Sequence, residues 1–83
     1  MKGYIKIMKF VVNYESEVST KRTKALTWKE AHDLIIKELN ESKNVLDFDV
    51  SFAKGDNDKL YKIMSFKRQT GIFTETIMML MIR

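Results

Sequence analysis

The sequence predicts an α+β fold, in which one amphipathic helix packs on a mainly antiparallel sheet and the elements follow the order β-β-α-β-β-β. Three observations support this prediction. Apolar residues recur at helical spacing in one segment, directly after Thr27. Segments before and after it alternate apolar and polar residues, as strands do. The chain has 83 residues, which is too short for two ordinary domains, so residues 1–83 are predicted to form a single domain.

Two strands are predicted before the helix. Residues 4–14 hold apolar side chains in both alternation phases, so this strand either has a bulge near Met8 or is covered on both faces. Residues 18–25 are rich in Thr and Val and lack Gly and Pro, which favours a solvated second strand. It carries the basic residues Lys21, Arg22 and Lys24. Charges of this kind protect a sheet edge from pairing with other chains, and the alternative is that they bind a polyanion.

The helix is predicted to start after Thr27 and to end near residues 41–44. Thr27 and Glu30 have the spacing of a capping box, in which each side chain binds the other residue's backbone amide. At about 100° per residue the apolar side chains form one stripe. The stripe comprises Trp28, Ala31, Ile35, Ile36 and Leu39. This pattern predicts a helix with one face on a sheet.

His32 lies within the apolar stripe of the helix. The chain has one His and no Cys, so His32 has no partner of the kind that metal sites use. We therefore interpret His32 as a partly buried imidazole at the margin of the core, in preference to a catalytic or metal-binding residue.

Two strands joined by a hairpin are predicted after the helix. Residues 46–52 alternate apolar side chains with Asp47, Asp49 and a serine, which predicts one face in the core and one acidic face in water. The next loop, residues 54–59, contains Gly55, Asp56 and Asp58, and it has the composition of a turn and not of a calcium loop. The return strand is predicted over residues 59–68.

The last segment, residues 72–83, follows a second turn at Gly71. It ends in six consecutive apolar residues, 77–82, which favour a strand and leave a short helix as the alternative. An apolar strand without a polar face must be covered, either at the centre of the sheet or in a dimer interface. The predicted core comprises Ile7, Phe10, Val12, Trp28, Ile35, Leu39, Phe48, Val50, Phe52, Met64, Phe66, Ile77 and Leu80.

Charged residues are segregated along the chain. The net charge is +4 overall, but residues 1–29 carry a net +5, residues 30–58 a net −5 and residues 59–83 a net +4. If the two ends pair in space, one part of the surface is basic and another acidic. This layout favours the binding of a charged macromolecule.

The residues that most catalytic and cofactor sites need are scarce. The chain has no Cys, no Pro, one His and three isolated Gly, so we see no metal motif, no phosphate-binding loop and no disulfide framework. Asp47 and Asp49 share a strand face, but that face is predicted to be solvated, where carboxylates stay ionised. We therefore predict a protein that is not an enzyme and binds no cofactor or metal. No segment has the pattern of a signal peptide or membrane span, so we expect a cytoplasmic location.

In composition the chain resembles small accessory proteins encoded by bacteriophages and mobile elements of AT-rich bacteria. It is short, rich in Lys, Ile and Met, and free of Cys and Pro. Many such proteins occlude a host macromolecule, so the resemblance implies an inhibitor or regulator that binds a host protein.

We therefore predict a small binding protein whose partner is another protein. The alternative is a nucleic-acid-binding protein that uses a basic sheet edge. A homodimer through the apolar C-terminal segment is compatible with either. The candidate partner-binding residues are charged side chains predicted to lie at the surface: Lys21, Arg22, Lys24, Lys29, Asp47, Asp49, Asp56, Asp58, Lys67 and Arg68.

Overall fold

A computed structural model of the protein describes residues 8–82 and confirms the predicted α+β fold, with one helix on a five-stranded antiparallel sheet. Along the chain the elements are β1 (Lys9–Glu15), β2 (Thr20–Arg22), α1 (Trp28–Glu41), β3 (Val45–Lys54), β4 (Leu60–Thr70) and β5 (Phe73–Ile82). The strand order is β2-β1-β5-β4-β3. The edges of the sheet are therefore β2 and β3, and β5 is its central strand.

The predicted first strand lies partly outside the described residues, since β1 begins at Lys9 and residues 4–7, with the predicted core residue Ile7, are not described. The second strand is shorter than residues 18–25, because only Thr20–Arg22 pair with β1. The chain then returns to β1 at Leu26, whose amide donates to the Phe10 carbonyl at 2.7 Å. This return places Thr27 beside the sheet, where α1 begins.

The predicted capping box starts α1. The Thr27 hydroxyl accepts a hydrogen bond from the Glu30 amide at 3.1 Å, and the Glu30 carboxylate accepts one from the Thr27 amide at 2.8 Å. At the first helical residue, the Trp28 indole donates to the carbonyl of Lys62 at 2.9 Å and so ties the start of the helix to β4. Ala31, one turn further along α1, is fully buried between the helix and the sheet.

Two tight turns set the register of the last three strands. Thr70 pairs with Phe73, and Gly71 between them has φ +63°, which is typical of a type II′ hairpin turn. In the turn from β3 to β4, Asp58 has φ +62°. Gly55 allows the chain to approach Tyr61 closely, because an added Cβ would lie 2.8 Å from its ring. The loop of residues 54–59 is thus a hairpin turn, as its composition predicts.

Side chains of the sheet alternate between a helix face, which α1 covers, and an open face. α1 packs on β1, β4 and β5. The helix face contributes the buried core residues Phe10, Val12, Met64, Phe66, Ile77 and Met79. The cross-strand pairs place Val11, Asn13, Asp47, Asp49, Ser65, Lys67, Met78 and Leu80 on the opposite face, which α1 does not cover and which we call the open face. Val11 and Asn13 are nevertheless buried there, at 4% and 6% exposed. The core predictions for Phe10, Val12, Ile35, Met64, Phe66 and Ile77 are confirmed.

The predicted core is wrong at Phe48 and Phe52 of β3, which are 45% and 62% exposed. Val50 between them is half-buried and packs against the core cluster. The two rings are exposed because β3 lies beyond β4 and α1 packs on the three inner strands. In β5 the core position belongs to Met79, whereas Leu80 points to the open face and is half-buried.

Candidate functional site

The free edge strand β3 holds four of the eight large apolar residues that are exposed among residues 8–82. Leu46 is 57% exposed, and its neighbours Val45 and Phe48 exceed 40%. β3 has charged residues and an irregular register between Val45 and Asp47, features that discourage pairing with another chain, but its apolar side chains remain exposed between and beyond them. Exposed apolar patches of this kind mark interaction surfaces. We call this surface, Val45–Lys54, the β3 edge.

The backbone of the β3 edge is oriented for pairing with another strand. The Gly55 amide donates to the Lys59 carbonyl on the side of β4. Because the direction of the backbone groups alternates along an antiparallel strand, Gly55 sets which β3 residues face β4. The odd-numbered residues 47–53 face β4. The amide and carbonyl groups of Phe48, Val50 and Phe52 therefore point away from the sheet.

The Phe48 amide shows this orientation directly. It donates to the carboxylate of its neighbour Asp47 at 2.9 Å and not to a carbonyl of β4. If another strand paired with the β3 edge, the Phe48 amide would donate to a carbonyl of that strand and no longer to Asp47. The Asp47 carboxylate would then be available to a cation on the added strand.

The two faces of β3 differ in chemistry. On the helix face, Phe48 lies opposite the buried Phe66, and Val50 lies opposite the buried Met64. The exposed apolar residues of β3 thus continue the hydrophobic core outwards to the edge. On the open face, Asp47 lies opposite Lys67. A strand added at this edge would meet an apolar strip on one side and carboxylates on the other.

A small cavity of about 150 Å³ opens on the open face beside β3. It is lined by Asp47, Phe48, Asp49, Ser65, Phe66, Lys67, Thr76 and Met78. On the open face the lining side chains are two carboxylates, an ammonium, two hydroxyls and the Met78 thioether, which suits a single amphipathic side chain better than a metal ion. Within residues 8–82, no group of three or more His, Cys, Asp or Glu side chains is arranged to hold a metal.

The predicted basic residues do not form one cluster. Lys21 and Arg22 lie exposed on β2, and Lys24 follows them in the loop before α1. Lys67 lies on β4, and the two strands β1 and β5 separate β4 from β2 by about 14 Å. The helix residue Lys29 pairs with Asp33 at 2.9 Å. Of the predicted basic residues, Lys21, Arg22 and Lys24 therefore lie together, at the β2 edge.

The predicted acidic residues lie at the opposite side of the sheet. Asp47 and Asp49 are on β3, while Asp56 and Asp58 are exposed in the turn that follows it. The Asp58 carboxylate lies 3.8 Å from the ammonium of Lys54. The acidic residues thus lie on β3 and its turn, far from the basic β2 edge, but β4 carries basic residues beside them, so the β3–β4 hairpin as a whole is not acidic.

Arg68 is engaged inside the fold. Its side chain is 20% exposed and pairs with Glu75 at 2.8 Å and with Glu38 at 3.2 Å. The same guanidinium donates to the Ser42 hydroxyl at 2.9 Å. Burial alone would lower the pKa of the guanidinium, but the bonds to Glu75 and Glu38 outweigh it and the pKa is raised. Arg68 thus joins the end of α1 to β4 and β5.

Tyr14 completes this cluster from β1. Its hydroxyl donates to the Glu38 carboxylate at 2.6 Å. Burial, followed by the hydrogen bond to Glu38, raises the pKa of the Tyr14 phenol well above its usual value. The folded protein therefore binds the phenol proton more tightly than the unfolded chain does.

This pKa shift predicts a specific loss of stability at high pH. The stabilisation from Tyr14 is present below about pH 10, the usual pKa of tyrosine, and is lost as the pH rises above it towards the raised value. At pH 8 we expect Tyr14→Phe to be less stable than the wild type by about 1 kcal/mol. Urea unfolding at pH 8, 10 and 11 should show this gap narrowing, and parallel curves would contradict the assignment.

His32 occupies the margin of the core, as interpreted from its position in the stripe. Its ring stacks on Trp28 with 4.8 Å between ring centroids, and its side chain is 24% exposed. Nδ1 lies 3.7 Å from the Asp33 carboxylate. This environment gives His32 a packing role against the indole.

Sequence reasoning missed the exposed residues of β3. Alternation marks Phe48 and Phe52 as one apolar face, but nothing in the chain indicates that α1 leaves this face uncovered.

The Arg68–Glu75 pair, by contrast, could have been predicted from the sequence. Both residues lie at equal distances from the turn that begins at Gly71, so a hairpin there brings them opposite each other.

Comparisons with known proteins do not assign this fold to a family. No family model matches the chain, and searches of curated proteins and of solved structures found no match. Within residues 8–82, no helix is long and apolar enough to cross a membrane.

Proposed function

We propose that the protein is a non-enzymatic binding module that binds another protein by adding one of its strands to the β3 edge. The observation that carries this proposal is the edge itself, where outward-pointing backbone groups coincide with the exposed rings of Phe48 and Phe52. In strand addition, backbone hydrogen bonds supply affinity and side-chain contacts supply specificity.

The apolar strip supports binding in energetic terms. Complete burial of a phenylalanine side chain contributes about 2 kcal/mol, and Phe48 and Phe52 are 45% and 62% exposed, so covering both would contribute about 2 kcal/mol in total, roughly a quarter of a micromolar affinity. The rings lie next to the buried Phe66 and Met64, so a partner strand would extend a core that is already ordered.

The charge of β3 specifies the kind of strand that fits. Asp47 and Asp49 lie on the open face, where a bound strand that carries Lys or Arg would place its side chains. On the helix face the same strand would place apolar residues over Phe48 and Phe52. We propose that the target is a host protein with such an alternating basic and apolar segment, and that the module acts as an inhibitor or regulator by occluding it.

The test is quantitative affinity capture from nuclease-treated host lysate, with the wild type compared to a Phe48→Lys/Phe52→Lys double variant. We expect one retained protein whose recovery falls at least tenfold in the variant. Ile72→Lys is the matched control, because Ile72 is 85% exposed but lies in the β4–β5 turn. Equal recovery by wild type and double variant would overturn the proposal.

The β2 edge supports a second candidate, the binding of a nucleic acid. Lys21, Arg22 and Lys24 are exposed there, and phosphate contacts from such residues give affinity that falls with salt. A Lys21→Glu/Arg22→Glu variant separates the candidates when the capture is repeated from lysate with and without nuclease. Recovery that depends on this pair and disappears with nuclease would favour the nucleic acid over the protein partner.

A further inference from the structure

We propose that the β3 edge also binds a second copy of the chain, forming a homodimer in which two β3 strands pair antiparallel about a twofold axis at Val50. This inference rests on the proposed function, since both assign binding to the β3 edge. It names a specific occupant, and it follows from the self-complementary order of side chains along β3.

The apolar residues of β3 match one another in this register. With the axis at Val50, the two Val50 side chains face each other, and Phe48 faces Phe52 of the second copy. These three residues share the helix face, so the exposed strip of each copy would cover that of the other. Aromatic and β-branched cross-strand pairs of this kind stabilise sheets.

The backbone of β3 supports the same register. The outward-pointing groups belong to Phe48, Val50 and Phe52, and an axis at Val50 pairs outward groups only with outward groups. Each such pair exchanges two hydrogen bonds, so the interface would contain about six. Registers that place an even-numbered residue opposite an odd-numbered one would lose these bonds.

The side chains of β3 favour this register over the two adjacent twofold registers, which have their axes at Asp49 and at Ser51. With the axis at Val50, Asp49 faces Ser51 and Asp47 faces Ala53, so no two like charges are directly opposed. An axis at Asp49 would place two carboxylates opposite each other, which destabilises a strand pair. An axis at Ser51 would place Phe48 opposite Lys54 and leave its ring without an apolar partner.

Pairing of β3 with β3 is also favoured over a chain of copies linked from edge to edge. The other edge strand among the described residues is β2, which has three residues where β3 has ten. A β2–β3 contact would leave most of the apolar strip uncovered. The twofold contact covers both strips and yields a closed dimer with a continuous ten-stranded sheet, two times five.

The dimer that we propose uses the β3 edge and not the apolar C-terminal segment, which the sequence left open as an interface. Both edges of β5 pair with neighbouring strands, β1 on one side and β4 on the other. The C-terminal segment thus offers only its open face to a second copy. Since the β3 edge serves both occupants, self-association would compete with binding of another protein and regulate access to the edge.

Light scattering and sedimentation velocity of the purified full chain test the oligomeric state. We expect a dimer at micromolar concentrations for the wild type and for Ile72→Lys. Phe48→Lys/Phe52→Lys should be monomeric while keeping the circular dichroism spectrum of the wild type. A wild type that stays monomeric up to 100-fold higher concentration, or that forms larger assemblies, would overturn the proposal.

Cysteine cross-linking tests the register, and the chain has no cysteine of its own to interfere. In the proposed dimer Asp49 and Ser51 of the other copy form a non-hydrogen-bonded pair about 4.5 Å apart at Cα, within reach of a disulfide. An equimolar mixture of Asp49→Cys and Ser51→Cys chains should cross-link in high yield on mild oxidation. Each variant alone should cross-link weakly, because its own pair lies about 7–8 Å apart.

The outcomes separate this inference from the proposed function. Strong cross-linking of Asp49→Cys or Ser51→Cys alone would place the axis elsewhere and overturn the register. A monomeric wild type whose captured partner is still lost in Phe48→Lys/Phe52→Lys would overturn the dimer and leave the proposed function intact. A dimer that survives this double substitution would overturn the assignment of self-association to the β3 edge.

Discussion

Phe66→Ala is expected to lower the free energy of unfolding by about 3–4 kcal/mol. Phe66 is 2% exposed and lies on β4 beneath α1, within the core cluster. Truncating its ring removes the transfer free energy of the lost carbons. It also leaves a cavity that the surrounding strands, paired on both sides of β4, cannot close easily.

Phe48→Ala is the matched control for Phe66→Ala. The two residues are the same type, share the helix face and are direct cross-strand partners, but Phe48 is 45% exposed. We expect its substitution to cost less than about 1 kcal/mol in a monomer. Both variants would be measured by urea unfolding at high dilution, so that dimerisation does not contribute. Equal losses would mean that β3 is covered in solution.

Arg68→Met is expected to cost about 2–3 kcal/mol. The substitution removes the cation that Glu38 and Glu75 share and leaves two largely buried carboxylates next to each other. It also removes the hydrogen bond to Ser42 at the end of α1. Thermal and urea unfolding of the variant at pH 7 measure the effect, and Lys67→Met, its exposed neighbour on β4, is the control.

A second variant shows whether charge is the cause. Adding Glu38→Gln and Glu75→Gln to Arg68→Met removes the uncompensated carboxylates, so we expect most of the lost stability to return. If the triple variant is as unstable as Arg68→Met, the contribution of Arg68 comes from packing of its alkyl chain. Loss of partner binding in Arg68→Met without loss of stability would instead restore Arg68 to the candidate binding residues.

Local signals in the sequence predicted most of the secondary structure. The capping box at Thr27 and Glu30 is formed within three residues, so neighbouring side chains decide it and the sequence shows it. The turn at Gly71 is equally local, because its positive φ suits glycine. For residues 73–82, apolar side chains in both phases indicated a covered strand, and the structure places it at the centre of the sheet.

The burial of β3 could not be predicted in the same way. Alternation in Val45–Lys54 shows that its two faces differ, but it does not show which layer covers the apolar one. Coverage depends on strand order, and the order results from pairing of β5 with both β1 and β4. These contacts join residues far apart in sequence, and alternation within a strand carries no information about them.

The central position of β5 also constrains when the sheet can assemble during synthesis. The β3–β4 hairpin can form as soon as its own residues leave the ribosome, and β1 can pair with β2 in the same way. The two units cannot form one sheet until residues 73–82 have emerged, because β5 lies between β1 and β4 and pairs with both. Pairing of Lys9 with Ile82 connects distant parts of the chain, so we expect folding in milliseconds to seconds and in one late step. Until that step Phe48 and Phe52 are exposed on a nascent chain whose core is incomplete, and we expect chaperones to bind this segment before the sheet closes.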